Sequence, residues 1–494
     1  MTVSPAPSSS SRESAAEIST AEIDASCRLP LFSLLGGAVF WLALSSMFGL
    51  MASLTFHKPS MFSDCAMLSY GRTYPAWSNL LVYGFCIPSG LAIGLWLLAR
   101  LGRTKLVGTI VVFTAAELWH LGVLIGLIGI LRGSSTGFEW LEMPRYAAVI
   151  LFVAFMLMAM CGFATNQARS EKALYPSQWF VLTALFWFPW IYSTAVLLLD
   201  VFPVRGVVQS SVAWWFSGNL LTVWLTLVGL ASTFYFIPRL SERPLQNLYL
   251  ALFAFWTLIL FGSWVGIPSS APLPAWMTAL SRNAAVLMAL PAVAIALCVL
   301  QTLRGAKTKC SGGPFCYMKF GVSSLVLSLL LAAGTGVSQI SRVTNFTWFG
   351  TAQVQLQLYG FFAMTLSGAA LYILPRISGL GLSSRLTRMQ FWCMMPGSVL
   401  LTLPLFIGGV VQGVKLLNPE TGIVDVAKSS MMFLRISTVG ELLILFGAFL
   451  FLLNVTTLLV RYYRAVCFTA YSAVTAELEP TPAPSLKGNA EVRP

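Results

Sequence analysis

Two side chains able to move a proton stand close together in an apolar stretch of this sequence. Glu117 and His120 are three residues apart and so share one face of a helix. Ionisable groups inside a lipid-spanning segment are costly enough to call for a role, and a carboxyl beside an imidazole is suited to proton handling. The same spacing serves equally as an internally satisfied contact to a neighbouring helix, and both readings stand at this point. Glu441 opens another apolar run and reads as a helix-end or inter-subunit contact. Gln353, Gln355 and Gln357 recur at every second position. On a helix that spacing spreads them over about 200°, so they do not all face one pocket. Cys310 and Cys316 share a loop, but their spacing matches no strong zinc or cluster pattern. Cys86, Cys161, Cys298 and Cys393 lie inside apolar runs, where cysteine behaves as a small hydrophobe. No metal site and no disulfide framework is read from these residues. The chain also lacks a P-loop, a dinucleotide fingerprint, a nucleophile elbow and an inverted repeat of broken helices.

The elements that must carry these residues follow from composition. Of 494 residues, 57% are hydrophobic and only 10% are charged, with 13% aromatic. A soluble protein carries roughly a quarter charged residues, so a soluble or disordered chain is excluded. The mean hydropathy is +0.79. Twelve apolar segments of spanning length are predicted, near 31–54, 78–100, 106–131, 147–168, 178–200, 212–236, 247–267, 281–303, 320–341, 349–375, 391–413 and 434–460. Runs of this length must be helices in lipid, because only helices satisfy their own backbone there. The fold class is therefore an all-α integral membrane bundle. Residues 1–29 and 466–494 read as cytoplasmic tails around a membrane domain at 30–465, the first 27 residues being a disordered stretch.

The net charge is +13, from 30 Lys and Arg against 17 Asp and Glu. Two thirds of the Lys and Arg fall in the tails and in the loops after even-numbered spans, which puts both termini in the cytoplasm. The location is a cell (inner) membrane, crossed many times. No basic stripe interleaved with aromatics stands outside the lipid, so nucleic acid is not a partner and membrane lipid is.

One set of motifs makes the chain resemble a known family. Trp214-Trp215-Phe216-Ser217-Gly218-Asn219 is followed by Phe234-Tyr235-Phe236-Ile237-Pro238-Arg239 and by Glu242-Arg243-Pro244. Tyr70-Gly71-Arg72 with Pro75, then Thr136-Gly137-Phe138-Glu139-Trp140-Leu141-Glu142-Met143-Pro144, and Phe255-Trp256 before Pro274-Ala275-Trp276, agree in order. Together these resemble subunit I of the cbb-type cytochrome c oxidases, the C-family of the haem-copper oxidases. The resemblance implies a twelve-transmembrane-helix haem-copper oxidase subunit I bundle, binding haem b and copper through at least six histidines.

This chain has two histidines in all, His57 and His120. At the positions to which the resemblance assigns ligands it carries other residues. Trp77 stands for a ligand of the low-spin haem, and Gly218 for a copper ligand. Ser269 and Ser270 stand for the paired copper histidines, and Gln353 and Gln355 for one ligand to each haem. The cross-linked tyrosine falls at Gly262 and a glutamate of span nine near Ala333. Trp and Gly offer no lone pair to a metal, and Ser and Gln amides are poor ligands for haem iron or copper. No haem or copper is expected in the usual sites.

Three functions follow from this reading. The first is a ligand-depleted, non-catalytic scaffold paralogue associated with respiratory electron transport, with cytochrome-bearing oxidase-type subunits as partners. The residues 136–144 are then expected to be kept for docking them. The second is a terminal oxidase or nitric-oxide-reductase-like enzyme with unusual haem ligands. The third is a proton or ion conductor through the emptied cofactor cavity, with Glu117 and His120 as the relay. Trp77 is bulky enough to fill part of such a cavity, which favours a plugged core over a pore.

Overall fold

The computed structural model describes residues 19–62, 64–306 and 310–478, and these are helical with no strand among them. In chain order the long helices are α1 (Thr20–His57), α2 (Tyr70–Leu101), α3 (Thr109–Arg132), α4 (Arg145–Gln167), α5 (Pro176–Val201) and α6 (Val207–Ser241). There follow α7 (Leu248–Gly262), α8 (Ala275–Leu303), α9 (Pro314–Thr335), α10 (Trp348–Ser378), α11 (Ser384–Leu416) and α12 (Ile423–Leu478). Eleven of these are long and apolar enough to cross a membrane, and α7 has 15 residues. The multi-pass bundle is thus as expected, but the seventh span is shorter than the 247–267 predicted for it. Its C-terminal turn is drawn out of the helix where the Asn219 Nδ2 of α6 donates to the Ser263 carbonyl at 3.2 Å. Gly266 then takes a φ of +125°, which a side-chain-bearing residue rarely adopts.

Three helices form the interior. The most apolar stretches of α2, α6 and α10 are 100%, 89% and 89% buried, against 39–67% in the other eight of spanning length. Each of the three contains a π-helical stretch: Leu80–Cys86, Asn219–Trp224 and Leu356–Ala363. Such wide turns shift the side-chain register part-way along a helix. Gly229 of α6 lets the Phe361 ring of α10 approach so closely that an added Cβ would lie 2.1 Å from it. Between α11 and α12 the same small-residue packing joins Gly440 to the backbone of Gly397 and Leu401. Tight backbone approach of this kind replaces the hydrophobic drive that lipid does not supply.

Both ends of the bundle depart from the expected boundaries. The helix α1 begins at Thr20, inside the stretch read as a tail, with Ser19 accepting from the Glu22 amide at 3.2 Å. Asp24 holds this first turn down by pairing with Arg100 at 3.3 Å and accepting from Trp96 Nε1 at 2.9 Å. Residues 1–18 and 479–494, on which the rest of both expected tails falls, lie outside the described residues. The helix α12 starts at Ile423, so Glu441 sits about five turns inside it and is not a helix-end residue. His57 is the last residue of α1 and its Nε2 meets Thr438 Oγ1 at 2.8 Å. Cys310 and Cys316 are joined by a disulfide, a pairing their spacing alone did not indicate.

Candidate functional site

Trp77, Gln355 and Glu441 come together. Three helices bring them to one cavity of about 340 Å³, bounded also by Gly49, Tyr74 and Trp348. Trp77 on α2 and Gln355 on α10 stand at two of the positions to which the family resemblance assigns haem ligands. The Trp77 indole is buried. Its Nε1 donates to the Tyr359 hydroxyl at 2.9 Å, and its Cδ1 lies where an added Cβ at Gly49 would be 2.6 Å away. Gln355 Oε1 and Glu441 Oε2 are buried with no hydrogen-bond partner among the described residues. Gln357 points elsewhere, donating to the Leu221 carbonyl, and Gln353 is only half-buried, so the three glutamines do diverge. An indole whose only polar atom is a donor and an amide oxygen do not fit iron ligation.

The would-be copper position is closed by main chain. Gly218 of α6 lies against the turn after α7, and a Cβ there would sit 2.1 Å from the Val265 carbonyl oxygen. The contact is mutual: a Cβ at Gly266 would come within 3.1 Å of the Gly218 Cα. Ser269 and Ser270 are exposed beyond this turn, with the Ser269 hydroxyl 3.3 Å from Asn345 Nδ2. One buried glycine and two exposed serines do not converge on a common point, and the residues here do not fit a copper ion. Gly262 continues the same packing, with a Cβ 3.1 Å from the Val223 side chain.

Glu117 and His120 meet at Ser33 of α1. The Ser33 hydroxyl donates to Glu117 Oε1 at 2.7 Å. Trp41 Nε1 can only donate, and it meets His120 Nδ1 at 3.1 Å, so that nitrogen is the acceptor. His120 Nε2 therefore carries the proton and donates to the Ser33 carbonyl at 3.2 Å. Both imidazole nitrogens are thus occupied by helix α1. The Glu117 carboxyl is exposed on the outer flank of the bundle.

The end of the loop 133–144 packs inward, while Gly133, Ser134, Ser135, Gly137 and Glu139 are exposed. Trp140, Leu141, Glu142 and Met143 are buried. Asn79 Nδ2 of α2 donates to Glu142 Oε2 at 2.6 Å, and the Tyr83 hydroxyl donates to the Trp140 carbonyl at 2.7 Å. Its residues therefore have an internal packing reason to be as they are, which the expectation of a docking loop did not include. Burial pushes the Glu142 carboxyl up to about 7, against the lowering effect of the Asn79 hydrogen bond. A carboxyl raised on folding favours the protonated form, so its contribution to stability falls as pH rises from about 4.5 to about 7. The melting temperature of the detergent-purified chain is expected to drop across that window. In Glu142→Gln the drop is expected to shrink, and an equally steep drop in that variant would show that Glu142 is not its source.

What the sequence reading missed here is the closure itself. Glu441 as a cavity wall, Tyr359 as the partner of Trp77, and the Val265–Gly266 backbone against Gly218 all depend on long-range packing. The Gly218 and Gly266 pair was a visible signal. Gly218 lies within α6 and Gly266 in the turn after α7, and a residue without a side chain permits such a close backbone approach. Among the described residues no group of three or more His, Cys, Asp or Glu could hold a metal ion.

Comparison with known proteins adds the lineage. A family model described as Cytochrome C and Quinol oxidase polypeptide I matches residues 31–456. The chain is 23% identical over 443 residues to the cytochrome c oxidase subunit 1 homolog of Azorhizobium caulinodans, covering 86% of this chain and 80% of that one. It is 24% identical over 443 residues to the bacteroid homolog of Bradyrhizobium diazoefficiens, covering 84% and 79%. The Cbb3-type cytochrome c oxidase subunit CcoN1 of Stutzerimonas stutzeri is 23% identical over 388 residues, covering 76% and 81%.

Proposed function

The chain belongs to the Cytochrome C and Quinol oxidase polypeptide I family of respiratory electron-transport membrane proteins, and on that footing we propose that it is a non-catalytic scaffold subunit. It keeps the helical shell of its relatives and has lost the means to hold their metals. The observation that carries this reading is Gly218, where the space any ligating side chain would need is taken by the Val265 carbonyl. A side chain blocked by another side chain can be freed by a rotamer change, whereas one blocked by main chain cannot.

Electron-carrying groups then belong to other subunits, and the chain's task is to hold those subunits in the membrane. The exposed Glu117 carboxyl supports a protein neighbour on the flank of α1 and α3. Facing hydrocarbon it would be costly, and facing a polar group on a partner helix it would not. The reading places both termini in the cytoplasm, in keeping with the distribution of Lys and Arg.

The test is an optical spectrum of the purified chain, reduced minus oxidised, with haem extraction on the same sample. The isolated chain is expected to show no Soret band, while the complex captured from gently solubilised membranes shows one belonging to cytochrome-bearing partners. Stoichiometric haem in the isolated chain would overturn the scaffold reading in favour of an enzyme with unusual axial ligands.

A further inference from the structure

The three inner helices end alike. Trp96 and Arg100 close α2, Tyr235 and Arg239 close α6, and Tyr372 and Arg376 close α10. In each, an aromatic ring is followed four residues later by an arginine, one turn on and on the same face. Arg376 stacks on its own ring with Cζ 4.3 Å from the centroid of Tyr372, and Arg100 lies 5.9 Å from that of Trp96. The rings form one cluster, with Trp96 and Tyr235 centroids 5.5 Å apart and Trp96 and Tyr372 6.4 Å apart. All three arginines therefore emerge together, at the end of the bundle where Arg100 reaches the Thr20 carbonyl.

Their charges are not balanced alike. Arg100 is paired with Asp24 at 3.3 Å. Arg239 and Arg376 have no ion pair among the described residues; Arg239 Nε donates to the Tyr372 hydroxyl at 3.4 Å. Arg243 follows at the end of α6, its Nη2 donating to the Gly305 carbonyl at 3.2 Å. Arg239, Arg243 and Arg376 line one cleft of about 710 Å³ that contains a single acid, Glu242. Three positive charges against one negative leave an excess of two.

Arginines at the ends of membrane helices ordinarily reach out to lipid phosphates or water at the perimeter. These three stand at the ends of interior helices. The apolar stretches of those helices are 89–100% buried, and the arginines are exposed at that end of the bundle. The phenol hydroxyl on Arg239 and the ring beneath Arg376 restrict those two exposed guanidinium forks, and a fork partly ordered beforehand loses less entropy on binding a planar pair of anionic oxygens.

We propose that this cleft binds a phosphate-type dianion, with Arg239 and Arg376 as its principal ligands and Arg243 as the third. A soluble phosphate or pyrophosphate compound enters from the aqueous side, or an anionic phospholipid inserts its headgroup there. The site is separate from the closed haem and copper positions and does not depend on the scaffold reading.

The experiment uses the full chain purified in detergent, with inorganic pyrophosphate as the soluble probe in titration calorimetry and cardiolipin retention in native mass spectrometry as the lipid arm. Pyrophosphate binding weakened about tenfold by Arg239→Gln and again by Arg376→Gln is expected. Arg461→Gln, the same charge change at an exposed arginine on the same end, is expected to leave it unaltered. Cardiolipin held by the parent and lost from both cleft variants, with no pyrophosphate binding, would assign the site to lipid. Failure to bind either probe, or equal weakening by Arg461→Gln, would overturn the proposal. Should a glutamine variant melt early, Arg239→Lys keeps the charge and loses the fork; it is expected to weaken binding partially, and binding as tight as the parent's would overturn the fork's role.

Discussion

Gly218→His is expected to lower the stability of the protein by about 3 kcal/mol or more and to recruit no copper. Overpacking a filled interior costs about 1–3 kcal/mol when side chains can give way. Here the obstacle is the Val265 carbonyl oxygen, 2.1 Å from where the new Cβ would lie, so the turn after α7 must move as a unit. That turn is anchored on both sides, by Asn219 on the Ser263 carbonyl and by the Ser281 hydroxyl accepting from the Ile267 amide at 3.1 Å. Displacing it therefore breaks two hydrogen bonds besides the packing. Gly71→Ala is the matched control, since nothing lies within 4 Å of a Cβ there and the helix α2 gains from the substitution. Thermal melts in detergent with metal analysis on the same samples read both effects. If Gly218→His melts with the parent and binds stoichiometric copper, the site is open and the scaffold reading falls.

How much of this was legible beforehand divides along a physical line. Span number and helix type come from composition and backbone satisfaction, which act locally. The helices α3, α4, α5 and α10 begin and end within three residues of their predicted places, whereas α2, α6, α8, α9 and α11 begin five to eight residues early. The misplaced ends have non-local causes. Thr20 starts α1 early because Asp24 finds Arg100 and Trp96 some 70 residues on, which no window of hydropathy detects. The entry of α12 at Ile423 turns Glu441 from an expected helix-end group into a wall of the same cavity as Trp77. The divergence of Gln353, Gln355 and Gln357 was readable from the helical period alone. How the vacated space was closed was not, because Tyr359, Gly49 and the Val265 backbone reach it from distant parts of the chain. The loop 136–144 is the instructive case. Its preserved look suggested a partner, and the buried Asn79–Glu142 and Tyr83–Trp140 contacts supply a reason within the chain itself.

Trp77→Ala is expected to cost about 3–5 kcal/mol, the range for removing a buried Trp or Phe side chain. In lipid the transfer part of that cost is smaller than in water, because hydrocarbon also accepts an indole. The cavity part remains, since lost contacts are lost in any solvent. The cavity beside Trp77 already measures about 340 Å³ and merges with the space the ring leaves. Tyr359 adds a polar share: its buried hydroxyl accepts from Trp77 Nε1 at 2.9 Å and also meets Ser46. A double-mutant cycle separates the two shares. Trp77→Phe keeps most of the ring and removes one partner of the Tyr359 hydroxyl, leaving it Ser46, at about 1 kcal/mol. Combining it with Tyr359→Phe removes the same bond from its other side, so the pair should cost less than the sum of the single changes. Additive costs would mean that the indole–phenol bond contributes nothing and that Trp77 acts by volume alone. A Trp77→Ala protein as stable as the parent would go further, since a ring that can be removed freely is not what closes the site. The cost of its removal is thus a direct measure of how much Trp77 contributes to holding the fold.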